Sequence, residues 1–237
     1  MTRSDGRAFD EHRSIIAEFD SLNRVDGSAR FGFGSRPSAL VSFTGPVEVR
    51  LAAENPSQLS LDVLVRPLCG IPGVHEKRIS ATLASILKRS LLMEASPRTA
   101  VVVVAQIMSN EPSVTSIINA ASMASMSAAS VPMRGVVCAI SVARTDGEFL
   151  LDPSPEELQK ASASGSFAFH IQGTQRKECV WTDWHGNEFN EEDLAQAQTL
   201  ASDAILKVWA VMKGAVRSRE GFDSEEELRH EDAEMEI

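Results

Sequence analysis

At 237 residues the chain has the length of one large domain or two small ones, and it can bury a full hydrophobic core. Its formal net charge of -10 is lopsided: nine acidic residues and one basic residue, Arg229, lie between Glu220 and Ile237, so the body is close to neutral. That balance excludes a domain that grips nucleic acid by overall charge alone, because phosphate binding needs clustered Lys and Arg.

The three cysteines, Cys69, Cys138 and Cys179, are widely spaced and form no C-x-x-C pair, so neither a disulfide framework nor a zinc site is expected. No apolar run approaches the ~18 residues of a membrane span, and Met1 to Asp20 lacks the apolar core of a secretory signal. These readings point to a soluble protein of a reducing intracellular compartment with no membrane partner.

In chain order, residues 1–23 mix Arg3, Arg7 and Arg13 with scattered acids and read as a flexible N-terminal arm, whose Ile15 and Ile16 are positioned to dock. Short strands separated by Gly and Pro turns follow: Val25 to Phe31, Ala39 to Thr44 and Pro46 to Leu51, an antiparallel meander. Leu59 to Val65 is a further strand, leading into the loop Arg66 to Gly73. Glu76 to Met93 carries Ile79, Leu83, Ile86, Leu87 and Leu91 at helical spacing, with Lys77, Arg78, Lys88 and Arg89 among its polar positions. Thr99 to Met108 is a nearly continuous apolar run with four successive valines, which predicts a strand covered on both faces. The helix Ser113 to Ser130 follows, rich in alanine and serine, with Ser109 or Asn110 as cap and Pro112 in an early position. A strand running into a helix N-terminus is a common anion site, so this loop is a candidate.

Beyond it, Val136 to Ala143 and Glu148 to Leu151 flank a Thr145-Asp146-Gly147 turn, and Asp152 to Glu157 reads as a turn and helix start. Phe167 to Ile171 and Glu178 to Trp184 form a second hairpin. Asn190 caps a long helix that keeps its apolar spacing to about Arg217, and the acidic stretch 218–237 is expected to be disordered. The folded domain is therefore placed at 24–217, in the α+β class, with helices mostly on one face of a mixed sheet.

Several short stretches in this order resemble the RNase PH family, and within it the eukaryotic exosome ring subunits. They are Asp26-Gly27-Ser28-Ala29, Thr44-Gly45-Pro46-Val47-Glu48-Val49, Val65-Arg66-Pro67, Pro97-Arg98-Thr99, Ile118-Asn119-Ala120-Ala121, Val131-Pro132-Met133-Arg134 and Leu151-Asp152-Pro153. The resemblance implies the RNase PH fold, a ribosomal-protein-like β-α-β-α arrangement of mixed sheets with helices packed mainly on one side. It also implies partners: other RNase-PH-like subunits in a six-membered ring, cap subunits with RNA-binding domains, associated exoribonucleases, and single-stranded RNA in a shared channel. The implied work is rRNA processing and RNA degradation in the nucleus and nucleolus, and also in the cytoplasm.

The resemblance further locates the family's chemistry. The Gly-Gly-Thr-Arg run that cradles phosphate in active members falls on Glu111-Pro112-Ser113-Val114, where a carboxylate, a missing backbone donor and an apolar side chain replace the cradle. The catalytic carboxylates fall on Leu158 and Ser164, neither of which transfers a proton at neutral pH, with Asp152, Glu156 and Glu157 close enough in sequence to substitute. The expectation is a non-enzyme without cofactor or metal.

Lys88 and Arg89 retain part of a basic helix motif used near phosphate, and read equally as a solvated helix face. Arg66, His75, Lys77 and Arg78 border a loop that lines the channel neck in the family. They are candidates for sequence-independent backbone contacts, against the plainer reading of a solvated loop and helix start. Trp181, Trp184 and His185 are read as core or subunit interface rather than as a base-stacking platform. His12, His170 and His230 lack ligand-spaced neighbours. The rival expectation is an active exoribonuclease, phosphorolytic or with a metal on Asp152, Glu156 and Glu157.

Overall fold

Period-two alternation in some segments and 3.6-residue periodicity in others build two sheets with helices between them. The computed structural model describes residues 3, 6–19, 22–49, 54–109, 113–145, 147–173, 176–186 and 190–221. The first sheet has the order β1-β2-β3-β5-β4, from β1 (Ile15–Phe19), β2 (Gly27–Phe33), β3 (Ala39–Glu48), β4 (Ser60–Arg66) and β5 (Thr99–Ile107). Helix α1 (Val74–Ser90) carries the chain from β4 to β5, which it meets in parallel; the other pairs of this sheet are antiparallel. Helix α2 (Val114–Ala128) leads to the second sheet, of order β7-β6-β8-β9. Its strands are β6 (Val136–Thr145), β7 (Glu148–Leu151), β8 (Ala163–Gln172) and β9 (Arg176–Gly186), all antiparallel. A short α3 (Pro155–Lys160) and a long α4 (Glu191–Glu220) complete the order.

Helices α1, α2 and α4 each touch strands of both sheets, so they form the middle layer. This is the expected α+β class, with each sheet carrying its helices on one side. None of the helices is long and apolar enough, among the described residues, to cross a membrane.

Helix α2 is the most enclosed element, with every residue from Thr115 to Ser125 buried. Its alanines and serines let backbones approach closely. A Cβ added at Gly27 of β2 would lie 2.3 Å from the Ala124 carbonyl oxygen and 2.4 Å from the Ala128 nitrogen, so only glycine fits there. Asn119 sits at the centre of this helix. Its Nδ2 donates to the Ala139 carbonyl at 2.9 Å and its Oδ1 accepts from the Ala139 N–H at 2.7 Å, so one amide completes the β6 backbone at a point β7 does not reach. At the other end, Asp26 accepts from the Gly45 N–H (2.7 Å) and the Ser130 hydroxyl donates to the Gly45 carbonyl (2.5 Å), tying β2, β3 and the α2 exit together.

Several expectations are corrected. Ile15–Phe19, inside the stretch read as an arm, pairs along its whole length with β2. Pro46 to Glu48 continues β3 instead of starting a new strand: the register shifts between Thr44 and Val47, and pairing with β5 resumes at Val47 and Glu48. The valine run of β5 is covered on one face only. Val101, Val103, Ala105 and Ile107 are buried, whereas Val102, Val104 and Gln106 are half-buried beside Leu64, which is 44% exposed. Branched side chains pack well on a half-covered pleat, so the run did not require two covered faces. Helix α2 is capped at Ser113, Asn110 and Pro112 lying outside the described residues. Helix α4 continues past Arg217 to Glu220 and closes on Gly221 at φ 77°; the rest of the acidic stretch is outside the described residues.

Asn119→Ala leaves the buried N–H and C=O of Ala139 without partners. It should lower unfolding free energy by about 2–5 kcal/mol, read as a drop in urea midpoint; an unchanged midpoint would refute this role.

Candidate functional site

The two sheets part along one side to leave a cleft of about 1200 Å³. The β2–β3 loop supplies Arg36 and Ser38, the end of β5 supplies Met108 and Ser109, and the first turn of α2 supplies Ser113, Val114 and Ser116. The opposite wall comes from Pro153, Pro155 and Leu158 around α3, Ser164 and Ser166 of β8, and Asp183 and His185 of β9.

The three positions where the family's chemistry is expected, Val114, Leu158 and Ser164, all line this cleft. The geometry of a site is kept. Its groups are an isopropyl, an isobutyl that is 44% exposed, and a hydroxyl on β8 directly opposite His185. The Ser113 hydroxyl is engaged with Thr115 Oγ1 at 2.6 Å rather than with a helix N–H. Glu111 and Pro112 lie outside the described residues.

The acids expected nearby are committed elsewhere. Asp152 is buried, at φ 45°, and both of its oxygens meet the Arg13 guanidinium, at 2.7 and 2.8 Å. Glu157 accepts an Arg3 fork at 2.8 and 2.9 Å and the Ser154 N–H at 2.7 Å. Burial by itself would raise the Glu157 carboxyl. The hydrogen bonds from Arg3 and Ser154, with the charges of Arg3 and Arg7, outweigh it and hold the pKa below the ordinary carboxylate value. A carboxylate so held is a poor proton donor at neutral pH. Glu156 is exposed and absent from the cleft lining. Among the described residues no three His, Cys, Asp or Glu side chains come together as a metal set.

The basic candidates are not brought into the cleft. Arg66, exposed at the end of β4, flanks the same loop as Lys77 and Arg78 in the first turns of α1. Lys88 and Arg89 are exposed in the last turn of that helix, roughly 16 Å farther along its axis. The motif read as lying near phosphate is thus at the far end of α1 from its own chain's cleft. Arg78 reaches Asp183 at 3.7 Å, and Asp183 also meets His185 Nε2 at 2.9 Å. Trp181 and Trp184 pack against the core, as expected.

Sequence reasoning missed the Asp183–His185 pair and the arginines on Asp152 and Glu157. The first was visible as two polar residues at period two on one strand; the second joins residues too distant in sequence for any local pattern to show.

Comparison with known proteins follows the same outline. Residues 11–132 match the family described as 3′ exoribonuclease family, domain 1, and residues 135–204 match its domain 2. The exosome complex exonuclease RRP46 homolog of Oryza sativa subsp. japonica is 30% identical over 177 residues, covering 74% of this chain and 73% of that protein. The exosome complex component Rrp41 of Archaeoglobus fulgidus is 28% identical over 230 residues, covering 92% of this chain and 87% of that protein. The crystal structure of rice Rrp46 superposes with a TM-score of 0.81 at 26% identity, covering 89% of this chain and 98% of that one.

The Glu157 environment fixes the sign of an acid effect. Because the folded pKa is depressed, the stabilisation is present above the ordinary carboxylate value of 4.5 and is lost as pH falls through the folded value. Between pH 5 and pH 3 the urea midpoint of the native chain should fall more steeply than that of Glu157→Gln; parallel profiles would contradict the assignment.

Proposed function

Because the chain belongs to the 3′ exoribonuclease (RNase PH) family, we propose that it is a non-catalytic subunit of an exosome core ring. In this reading it joins other RNase-PH-like subunits in a six-membered ring. That ring carries cap subunits with RNA-binding domains and guides single-stranded RNA to associated 3′-5′ exoribonucleases. The work served is rRNA processing and RNA decay, in the nucleus, the nucleolus and the cytoplasm. The chain's contribution to turnover is positional: it holds the strand and the partners and makes no bond chemistry of its own.

One observation carries the reading. Val114, Leu158 and Ser164 converge on a single cleft, and none of them is an anion-binding guanidinium or a proton-transferring carboxylate. Asp152 and Glu157, the obvious replacements, are held by Arg13 and Arg3. The sequence at Glu111 and Pro112 adds a negative charge and removes a backbone donor where an anion would sit. The names of the relatives, exosome components from rice and an archaeon, support the assembly. The rival reading is an active 3′-5′ exoribonuclease, and the rice protein's name carries the word exonuclease.

The purified chain, incubated with end-labelled RNA with and without phosphate and magnesium, should release neither nucleoside diphosphates nor monophosphates. Phosphate-dependent release of diphosphates that Val114→Arg does not enhance would establish the rival. Affinity purification of the tagged chain from cells should return related subunits in stoichiometric amounts, and recovery of the chain alone would sink the ring assignment.

Arg66, Lys77 and Arg78 are the proposed neck contacts, with Lys88 and Arg89 as a second basic pair. In the assembled ring, replacing Arg66, Lys77 and Arg78 with glutamine should weaken single-stranded RNA binding equally across sequences and flatten its dependence on salt. An unaltered salt slope in a binding titration would show that the loop is only solvated.

A further inference from the structure

The segment ahead of β1 is tied to the second half of the chain by a buried ionic cluster. Arg3 and Arg7 precede the matched family segments, which begin at residue 11. The Arg3 side chain is 1% exposed. Its Nε and Nη2 grip Glu157 at 2.9 and 2.8 Å, and its remaining donors reach the carbonyls of Leu151 (2.9 Å), Asp152 (3.1 Å), Glu11 (3.0 Å) and Ala8 (3.3 Å). Arg7 stands 3.8 Å from Asp152 and 3.9 Å from Glu157. Arg13 completes the cluster with its two bonds to Asp152, and the Leu151 N–H donates to the Phe9 carbonyl at 2.9 Å.

What this cluster holds is otherwise tied mainly at its two ends, by the Asp152 N–H to the Ser141 carbonyl (2.9 Å) and by the Ser162 N–H and hydroxyl to the Arg144 carbonyl (2.8 and 3.1 Å). Helix α3 has six residues, none of them buried, and a helix of that length is marginal without tertiary anchorage. Yet Pro153, Pro155, Leu158 and Gln159 form one wall of the cleft. Between those ends, the charged anchorage is Asp152 and Glu157, the two carboxylates that the N-terminal arginines occupy. Bidentate guanidinium pairs of this kind fix orientation as well as distance. We propose that Arg3, Arg7 and Arg13 form a clasp that sets the position of the α3 wall, so that the width of the cleft is governed by these N-terminal arginines. The clasp operates whether the cleft is catalytic or not, and so stands apart from the ring assignment.

Hydrogen exchange by mass spectrometry on the full chain tests this. In Arg3→Gln, amides of residues 153–162 should exchange about tenfold faster or more, while those of α2 and β5 keep their native rates, the pattern of a local opening. Arg3→Lys, which keeps the charge and loses the fork, should fall between the two. Glu157→Gln should reproduce the acceleration, and the double variant should be no faster than either single one. Native rates in 153–162, or acceleration spread evenly over α2 and β5, would overturn the clasp. If Arg3→Gln fails to fold, the same comparison is read from Arg3→Lys and Glu157→Gln.

Discussion

The placement of α2 between two sheets is the constraint on which the other features depend. A helix enclosed from Thr115 to Ser125 has no solvent face, so its side chains must be small or apolar and each polar group needs an internal use. Asn119 meets that demand by acting as a surrogate strand for Ala139, and the Ser125 hydroxyl by returning to the Ala121 carbonyl at 2.8 Å, whereas the Ser116 and Ser122 hydroxyls are buried without a partner among the described residues. The same closeness forbids a Cβ at Gly27 and thereby fixes how β2 crosses the helix. Sheet spacing, helix composition and the glycine are one physical solution.

This explains how a family pattern persists although Val114, Leu158 and Ser164 stand where the resemblance places the family's chemistry. The stretches that carry the resemblance are chiefly those that the architecture needs. Asp26 holds the Gly45 amide, Gly27 admits α2, Asn119 completes β6, and Asp152 receives Arg13. Replacing any of them leaves a buried polar group unpaired or a backbone in collision. Val114, Leu158 and Ser164 line the cleft and none of them is fully buried, so fewer neighbours constrain their side chains.

Legibility in the sequence divided along the same line. The long periodic elements α1, α2 and α4, and the capping of α4 by Asn190, were readable because local spacing decides them. The convergence of Val114, Leu158 and Ser164 followed from resemblance, since spacing alone does not bring β8 to α2. The strand at Ile15–Phe19 was not legible as part of the sheet: five residues are too few for a pattern, and their pairing with Gly27–Phe33 is a tertiary fact. The fate of Arg3, Arg7 and Arg13 was invisible for the same reason, because their carboxylate partners lie more than a hundred residues away. What could be read early was their unusual company, three arginines in a segment with too little apolar content to need them for solubility.

Those arginines also alter what the body's near-neutral charge means. Three of the chain's 23 basic side chains are used internally against Asp152 and Glu157, and Arg144 is paired with Asp193. The cations proposed to meet a backbone polyanion fall into two groups, Arg66, Lys77 and Arg78 at one end of α1 and Lys88 and Arg89 at the other, and Arg78 already stands 3.7 Å from Asp183. Under the proposed function, two small groups roughly 16 Å apart would give each subunit a weak, salt-sensitive contact with RNA. In a closed ring the same contacts act together, and linkage turns each subunit's weak binding into an intramolecular event at high effective concentration. Under the proposed function, a chain with this charge arrangement is therefore better suited to sharing a channel than to capturing a strand by itself.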